Sequence, residues 1–535
     1  MTAIAQTFFL MLAVLAFVAV AAKRLSIAPS ILLVVAGIGM TLIPGLPKVE
    51  LAPELVLLVI LPPLIYSAGV AMSWREFRFN LRPIVLLAFG CVLFTTCLIA
   101  AAAHYLLHFD WSVGFLLGAI VSPPDVVAPL SIARKLGLPR RIVVVLEGEG
   151  LANDATALVL YRFAIAAVST GTFSLGEAAG EFALIVVGEI AYGLAVGWLS
   201  LNLRRWARDP RVEITLSLMT PYLAFWVPQH LGGSGVLATV ACGLYVSWVG
   251  PRLIPSATRL QGIFFWDLVV YLIEGLVFLL TGLQARSLID QGHAFSISEL
   301  AIATAWVTLI TIAARFLWVF PATYVPRWLS PRLEKCDPAP PWQAAFFLAF
   351  TGLRGVDSLA VALAIPYTIL NGEPFPHRDL ILFVTFGVII ITLVGQGPLL
   401  PFIVRLLGLS QLGKKEHKDE IKAELRARQA ALKQVEKRLN IAIENCGLPA
   451  DAIEHLRTRN KSRLQVLPEN LTEDLDQMRQ TVRIKTDLIE AERDFIYKLL
   501  QDGKITDEAR RRIEYELDLE EASVANRGTA GGGWI

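Results

Sequence analysis

Thirteen long apolar stretches, one after another, leave this chain few folds to choose from. They are centred on residues 5–22, 27–44, 54–72, 82–107, 112–133, 142–169, 179–203, 212–230, 234–249, 260–284, 297–325, 341–369 and 379–407. About 20 mostly apolar residues carry a helix across a bilayer, and a backbone in lipid must satisfy its hydrogen bonds internally. Residues 1–409 therefore read as an all-α polytopic membrane domain of thirteen transmembrane helices. Charge marks where that domain ends. Of the Lys, Arg, Asp and Glu residues, 47 lie among the first 409 positions and another 47 in the last 126. Residues 410–535 are accordingly a separate, charge-rich helical tail. The net charge of +2 excludes a general nucleic-acid binder, because no excess of one sign attracts phosphate. Cys91, Cys97, Cys242, Cys336 and Cys446 are scattered, without a C-x-x-C pair or clustered histidines. They read as packing thiols rather than a disulfide framework or zinc site, and no resident cofactor is called for.

Orientation follows from basic residues. Lys23 and Arg24 come after the first apolar run instead of before it, which argues for a retained first helix rather than a cleaved signal. Taking alternate connections as cytoplasmic, from the one after the first helix, places 18 Lys and Arg on that side and 3 (Lys48, Arg286 and Arg378) on the other. The positive-inside rule then puts the N-terminus outside and the tail in the cytoplasm, in a multi-pass protein of the cell (inner) membrane.

Eleven charges lie well inside the stretches, away from their ends: Asp125, Glu147, Glu149, Asp154, Arg162, Glu189, Asp267, Glu274, Arg315, Arg354 and Asp357. Each costs about 2.5–3.5 kcal/mol at the bilayer centre even on a lenient scale, so together they imply a polar pathway. Two stretches also contain breaks. The fifth reads GAIVSPPDVVAPLSIA, where Pro123 and Pro124 remove backbone donors and Asp125 can cap a restarting half-helix. The twelfth reads FFLAFTGLRGVDSLAVALAIP, with Gly352, Arg354 and Gly355 near its middle. If spans 1–6 and 8–13 are two six-helix repeats, the interrupted helix is fifth in each. The odd offset between them inverts one repeat, a pattern that points to alternating access.

The sixth stretch, VVVLEGEGLANDATALVLYRFA, lies between these breaks. Asn153 and Asp154 are about 100° apart around a helix and can border one cavity, whereas Glu149 is about 140° away and faces elsewhere. Arg354 is the natural partner for Glu149, because an unpaired buried guanidinium is costly. The expectation is a structural ion pair between Glu149 and Arg354.

These segments resemble a known family. S-P-P-D at Ser122–Asp125, E-G-E-G-L-A-N-D at Glu147–Asp154, G-L-R-G at Gly352–Gly355 and L-P-P-L-I-Y at Leu61–Tyr66 resemble sodium/proton exchangers, more narrowly the bacterial cation/proton antiporter-1 group. The resemblance covers residues 5–407. It implies a homodimeric thirteen-helix antiporter in membrane lipid that exchanges Na+, Li+ or K+ for H+, in sodium export or pH homeostasis. It implies that Asp154 binds cation and proton in turn, with Asn153 and Asp125 as neighbours in the site and Asp154 and Asp125 as ligands to the transported metal ion. The stabilising Glu–Arg pair of the family maps to Glu149 and Arg354. Three positions depart from the pattern. Ser67 and Gly150 replace the usual Glu and Ser, and Asp357 stands where a small or apolar residue is expected. Asp357, three residues after Arg354, is placed to compete with Glu149 for it.

A dehydrated carboxylate takes up either a proton or a metal cation, and the two occupants exclude each other. One such group, with uncharged Asn153 beside it, favours electroneutral 1:1 exchange. A cation channel is the alternative. An intramembrane aspartyl protease using Asp125 and Asp154 lacks its G-x-G-D signature. In the tail, residues 414–445 and 480–500 carry apolar positions at coiled-coil-like spacing, Leu425, Leu432, Val435 and Leu439, then Ile484, Leu488, Ala491 and Phe495. Pro449, Pro468 and Gly503 separate the helical pieces, and TAGGGWI at the end reads as disordered.

Overall fold

A helix satisfies its own backbone in lipid. Among its described residues the computed structural model of the chain has helices, joined by turns and loops, and one isolated bridge between Thr368 and Pro374 in place of any strand. It describes residues 2–25, 27–43, 51–171, 175–291, 296–369, 372–446, 451, 453–455, 457–458, 474–502 and 504–528. Lys48 of the charge count, the tail breakers Pro449, Pro468 and Gly503, and the final TAGGGWI lie outside these residues. The chain divides into two compact units, Met1–Ser410 and Gln411–Ile535.

The first unit runs α1 (Thr2–Leu25), α2 (Pro29–Met40), α3 (Pro53–Ala71), α4 (Trp74–Phe79), α5 (Leu81–Leu107), α6 (Trp111–Val121), α7 (Val127–Lys135) and α8 (Arg140–Thr170). It continues with α9 (Leu175–Ala207), α10 (Pro210–His230), α11 (Val236–Leu253), α12 (Ser256–Gln291) and α13 (Ile297–Leu329). After these come α14 (Pro331–Cys336), α15 (Trp342–Phe350), α16 (Val356–Leu363) and α17 (Arg378–Leu406). Nine helices among the described residues are long and apolar enough to cross a membrane, and α2 and α6 are shorter apolar helices. Many large apolar side chains on these helices face outward, among them Phe17, Leu184, Trp206 and Phe264, as lipid contact requires.

Small residues let the helices approach closely, since lipid offers no hydrophobic force to press them together. Gly114 and Gly118, one turn apart on α6, lie against α5. A Cβ on Gly118 would stand 2.6 Å from the Thr96 carbonyl oxygen, and one on Gly114 would stand 2.9 Å from that of Ala100. Side-chain caps start some of the helices. Asp209 accepts from the amides of Arg211 and Val212 ahead of α10, and Ser296 and Glu299 form a capping box at α13.

Glu189, one of the eleven interior charges, also serves as a cap. It is buried on α9 and accepts from the amides of Ser234 (2.5 Å), Gly235 (3.0 Å) and Leu237 (3.1 Å), where α11 begins. A carboxylate at the positive end of a helix needs no cation.

In the second unit, α18 (Leu409–Cys446) crosses the boundary, and α19 (Asp474–Gln501) packs on α20 (Asp507–Gly528). Ile489 and Leu517 are buried in that contact with Ile513 against them, and Arg493 bridges Asp518 and Glu521. The row expected to form a coiled-coil seam, Ile484, Leu488, Ala491 and Phe495, is exposed. A different apolar row of the same helix meets α20. Leu432 and Leu439 of α18 are half-buried and Val435 is exposed; the Leu425 side chain lies outside the description.

The α5–α6 contact yields a stability prediction. Gly118→Leu forces the helices apart and lowers the melting temperature of detergent-solubilised protein, by the equivalent of about 1–3 kcal/mol. Gly39→Leu, where an added Cβ meets nothing within 4 Å, leaves it unchanged.

Candidate functional site

Prolines 123 and 124 cannot extend the hydrogen-bond ladder of α6, and the helix stops at Val121 to resume as α7 at Val127. Glycines 352 and 355 flank the second break, between Phe350 at the end of α15 and Val356 at the start of α16. The two breaks lie against each other. The Asp125 amide donates to the Leu353 carbonyl at 2.8 Å. Gly355 makes this approach feasible, because a Cβ there would stand 2.6 Å from the Cβ of Asp125.

Each break frees backbone groups that would be costly if left unpaired, and named side chains take them up. Asn153 of α8 donates through Nδ2 to the Pro124 carbonyl at 2.8 Å. Arg354 donates through Nε to the Val121 carbonyl and through Nη1 to the Gly352 carbonyl (2.6 Å). From α17, Thr392 Oγ1 accepts from the Arg354 amide at 3.0 Å, and Gln396 Nε2 donates to the Phe350 carbonyl.

This occupation of Arg354 corrects the expected ion pair. Glu149 pairs with Arg315 of α13 in a bidentate contact of 2.5 and 2.8 Å, and both side chains are buried. Arg315 also donates through Nε to the Leu348 carbonyl at 2.9 Å, tying α8 and α13 to the first half of the second broken helix. Arg354 lies at the C-terminal end of α6, where unpaired carbonyls and the negative pole of the helix substitute for a carboxylate. The sequence offered both arginines at similar depth, and no spacing rule distinguishes them.

Other interior charges are accounted for individually. Glu147 pairs with Arg134 at 2.7 Å, Arg162 donates to the Gly232 carbonyl at 2.5 Å, and Asp267 is exposed on α12. Of the interior charges, four acids remain with no ion pair among the described residues: the aspartates Asp125, Asp154 and Asp357, and Glu274, half-buried on α12. Asp125 accepts from the Val127 amide at 2.9 Å through Oδ1, so it caps α7, and its Oδ2 is buried without a hydrogen-bond partner. Asp154 and Asp357, from α8 and α16, line a single cavity with Pro123 and Ser358. The remaining wall is apolar, including Leu57 and Ile120. The cavity is small, on the scale of one water or one dehydrated monovalent cation.

Of the site residues expected from sequence, Asp154 lines the cavity and Asn153 and Asp125 adjoin it at the break. Asn153 Oδ1 is buried and unpartnered. Asp357 was expected to contest Arg354 and instead joins Asp154. Helical spacing does not relate it to Arg354, because residue 354 precedes the start of α16 at Val356.

Comparison with known proteins bears on what such a site does. Residues 10–406 match the family described as sodium/hydrogen exchanger, transmembrane. An uncharacterized Na(+)/H(+) exchanger of Mycobacterium tuberculosis is 34% identical over 94% of this chain and 92% of its own length. A sodium, potassium, lithium and rubidium/H(+) antiporter of Bacillus subtilis is 29% identical over 89% of this chain and 71% of its own. The solved structure of the sodium proton antiporter MjNhaP1 from Methanocaldococcus jannaschii is similar in fold, with a TM-score of 0.60. It covers 76% of this chain and 99% of that one at 20% identity.

The corrected ion pair is testable. Arg315→Gln leaves Glu149 buried without its cation and costs about 3–5 kcal/mol, read as a lower melting temperature and yield in detergent. Neutralising both, as E149Q/R315Q, recovers a large part of that loss. Glu149→Gln combined with Arg354→Gln gives no such recovery, because those two side chains are not partners.

Proposed function

The chain belongs to the sodium/hydrogen exchanger family, and from that membership we propose that Asp154 is the carboxylate at which a monovalent cation and a proton are traded. The protein is a multi-pass membrane transporter, not an enzyme, and it exchanges monovalent cation for H+. A channel or an aspartyl protease is not favoured.

One observation carries the assignment of the site. Asp154 faces a small, mostly apolar cavity in which, among the described residues, no Lys, Arg or His stands opposite it. Two fully buried arginines of the interior are committed elsewhere, Arg315 to Glu149 and Arg354 to backbone carbonyls. A buried charge without a protein partner must be neutralised from outside the protein. The solvent on either side of a membrane supplies two neutralisers, H+ and a metal cation. Hard monovalent cations prefer oxygen, which the Asp154 carboxylate supplies. Each cycle exchanges one cation for one proton, and the net charge moved is zero.

Sodium is the proposed main substrate, with Li+ and K+ as further ones. Support comes from the family and from the Bacillus subtilis relative named for several alkali cations. The thirteen apolar stretches form thirteen spans in two inverted six-helix repeats, and the broken helices α6–α7 and α15–α16 hold equivalent places. This reading is supported by the position of the two breaks and by the basic-residue bias of 18 to 3. The N-terminus is then outside, and residues 410–535 form a cytoplasmic tail that regulates or helps dimerise the protein. The assembly is a homodimer in the lipid of the inner membrane.

Everted vesicles carrying a pH-sensitive dye test the reading. Adding Na+ dissipates the pH gradient with the parent chain, and Asp154→Asn abolishes the response while the folded protein remains in the membrane. Because proton and cation compete for one group, lowering the pH raises the apparent KM for Na+, approaching about tenfold per pH unit, while maximal rate holds. A KM independent of pH contradicts competition at one group.

A further inference from the structure

The cavity contains a second acid that the proposed exchange at Asp154 has not yet used. Asp357 stands in the first turn of α16, at the positive end of the second restarting half-helix, just as Asp125 stands ahead of α7. The two differ in what their oxygens do. Asp125 gives one oxygen to the Val127 amide, so it is partly a structural cap. Asp357 has no hydrogen bond or ion pair among the described residues, and it lines the cavity that Asp154 lines. Ser358 adds a hydroxyl to the same wall.

Two carboxylates facing one apolar cavity cannot both be charged with nothing between them, because like charges in a low-dielectric space repel strongly. Whatever neutralises one is felt by the other. A dehydrated Na+ or Li+ seated there meets up to four carboxylate oxygens from two helices, whereas Asp154 alone offers two. The two helices are α8, which is continuous, and α16, which belongs to a broken helix.

We propose that Asp357 is the second carboxylate of the exchange site, completing with Asp154 an oxygen cage for one monovalent cation and thereby setting which cation is preferred. One proton leaves the pair for each cation that arrives, so the pair together with its occupant carries the same total charge in both loaded states and exchange remains electroneutral. Asp357 is thus a cation ligand and a determinant of specificity. This inference rests on Asp154 being the exchange carboxylate, and its failure is separable from the failure of that reading.

The test compares Asp357→Asn, Asp357→Val and Asp154→Asn in everted vesicles with Na+, Li+ and K+. Asp154→Asn abolishes exchange with every cation; activity there overturns the underlying reading. With Asp154 intact, both Asp357 variants keep measurable exchange, raise the apparent KM for Na+ tenfold or more, and flatten or reorder the preference among the three cations. An Asp357→Val protein with KM within twofold of the parent and an unchanged order of preference overturns the inference alone. Labelling of the unsubstituted protein decides the matter if the variants do not fold. An apolar carbodiimide is applied with and without Na+, and the modified carboxyls are located by peptide mass spectrometry. Modification of both Asp154 and Asp357, each protected by Na+, is expected. Modification of Asp357 that Na+ does not suppress, or its absence while Asp154 is modified and protected, overturns the inference.

Discussion

Where the two broken helices meet, the backbone of one satisfies the backbone of the other, and the Asp125 amide to Leu353 carbonyl bond is the point of contact. A bilayer tolerates interrupted helices only where freed backbone groups find partners in protein. Here they do so through a short list of side chains: Asn153, Arg354, Thr392 and Gln396. Every one of these is uncharged except Arg354, and Arg354 is directed at carbonyls. The crossing is thereby held together without using any of the three aspartates as a counter-ion. That leaves acidic groups available in the middle of the molecule, which is the precondition for carrying a cation.

The buried Glu149–Arg315 pair performs a different task a short distance away. Ion pairs of this kind contribute little net stability over an apolar alternative, but losing one partner is expensive. The pair, with the Arg315 bond to the Leu348 carbonyl, fastens α8 to α13 and to α15. Glu149, paired with Arg315, and Asp154, lining the cavity, thus sit on one helix and point to different sides of it.

The features legible in the sequence were those fixed by local chemistry. Pro123 and Pro124 stop a helix wherever they fall, and the glycines of G-L-R-G loosen one, so both breaks could be located to within a few residues. Asp154 could be singled out because an Asn-Asp pair in an apolar helix has no cheap explanation. What could not be read was which distant side chain reaches which. Arg315 and Arg354 are equally plausible partners for Glu149 until the helices are packed. Asp357 was related to Arg354 by helical spacing, but Arg354 lies outside any helix, before α16 begins, so the rule did not apply. In the tail, α19 carries two apolar rows, and spacing alone did not reveal that the one containing Ile489 meets α20 while Ile484 and Leu488 remain exposed.

The proposed exchange rests on the mutual exclusion of proton and cation at the Asp154 carboxylate. Titrating Na+ into the purified protein by calorimetry, in buffers of different ionisation enthalpy, counts the protons released as the cation binds. Close to one proton released per cation bound is the expected result. Binding of Na+ at the site with no proton release would contradict exchange at Asp154.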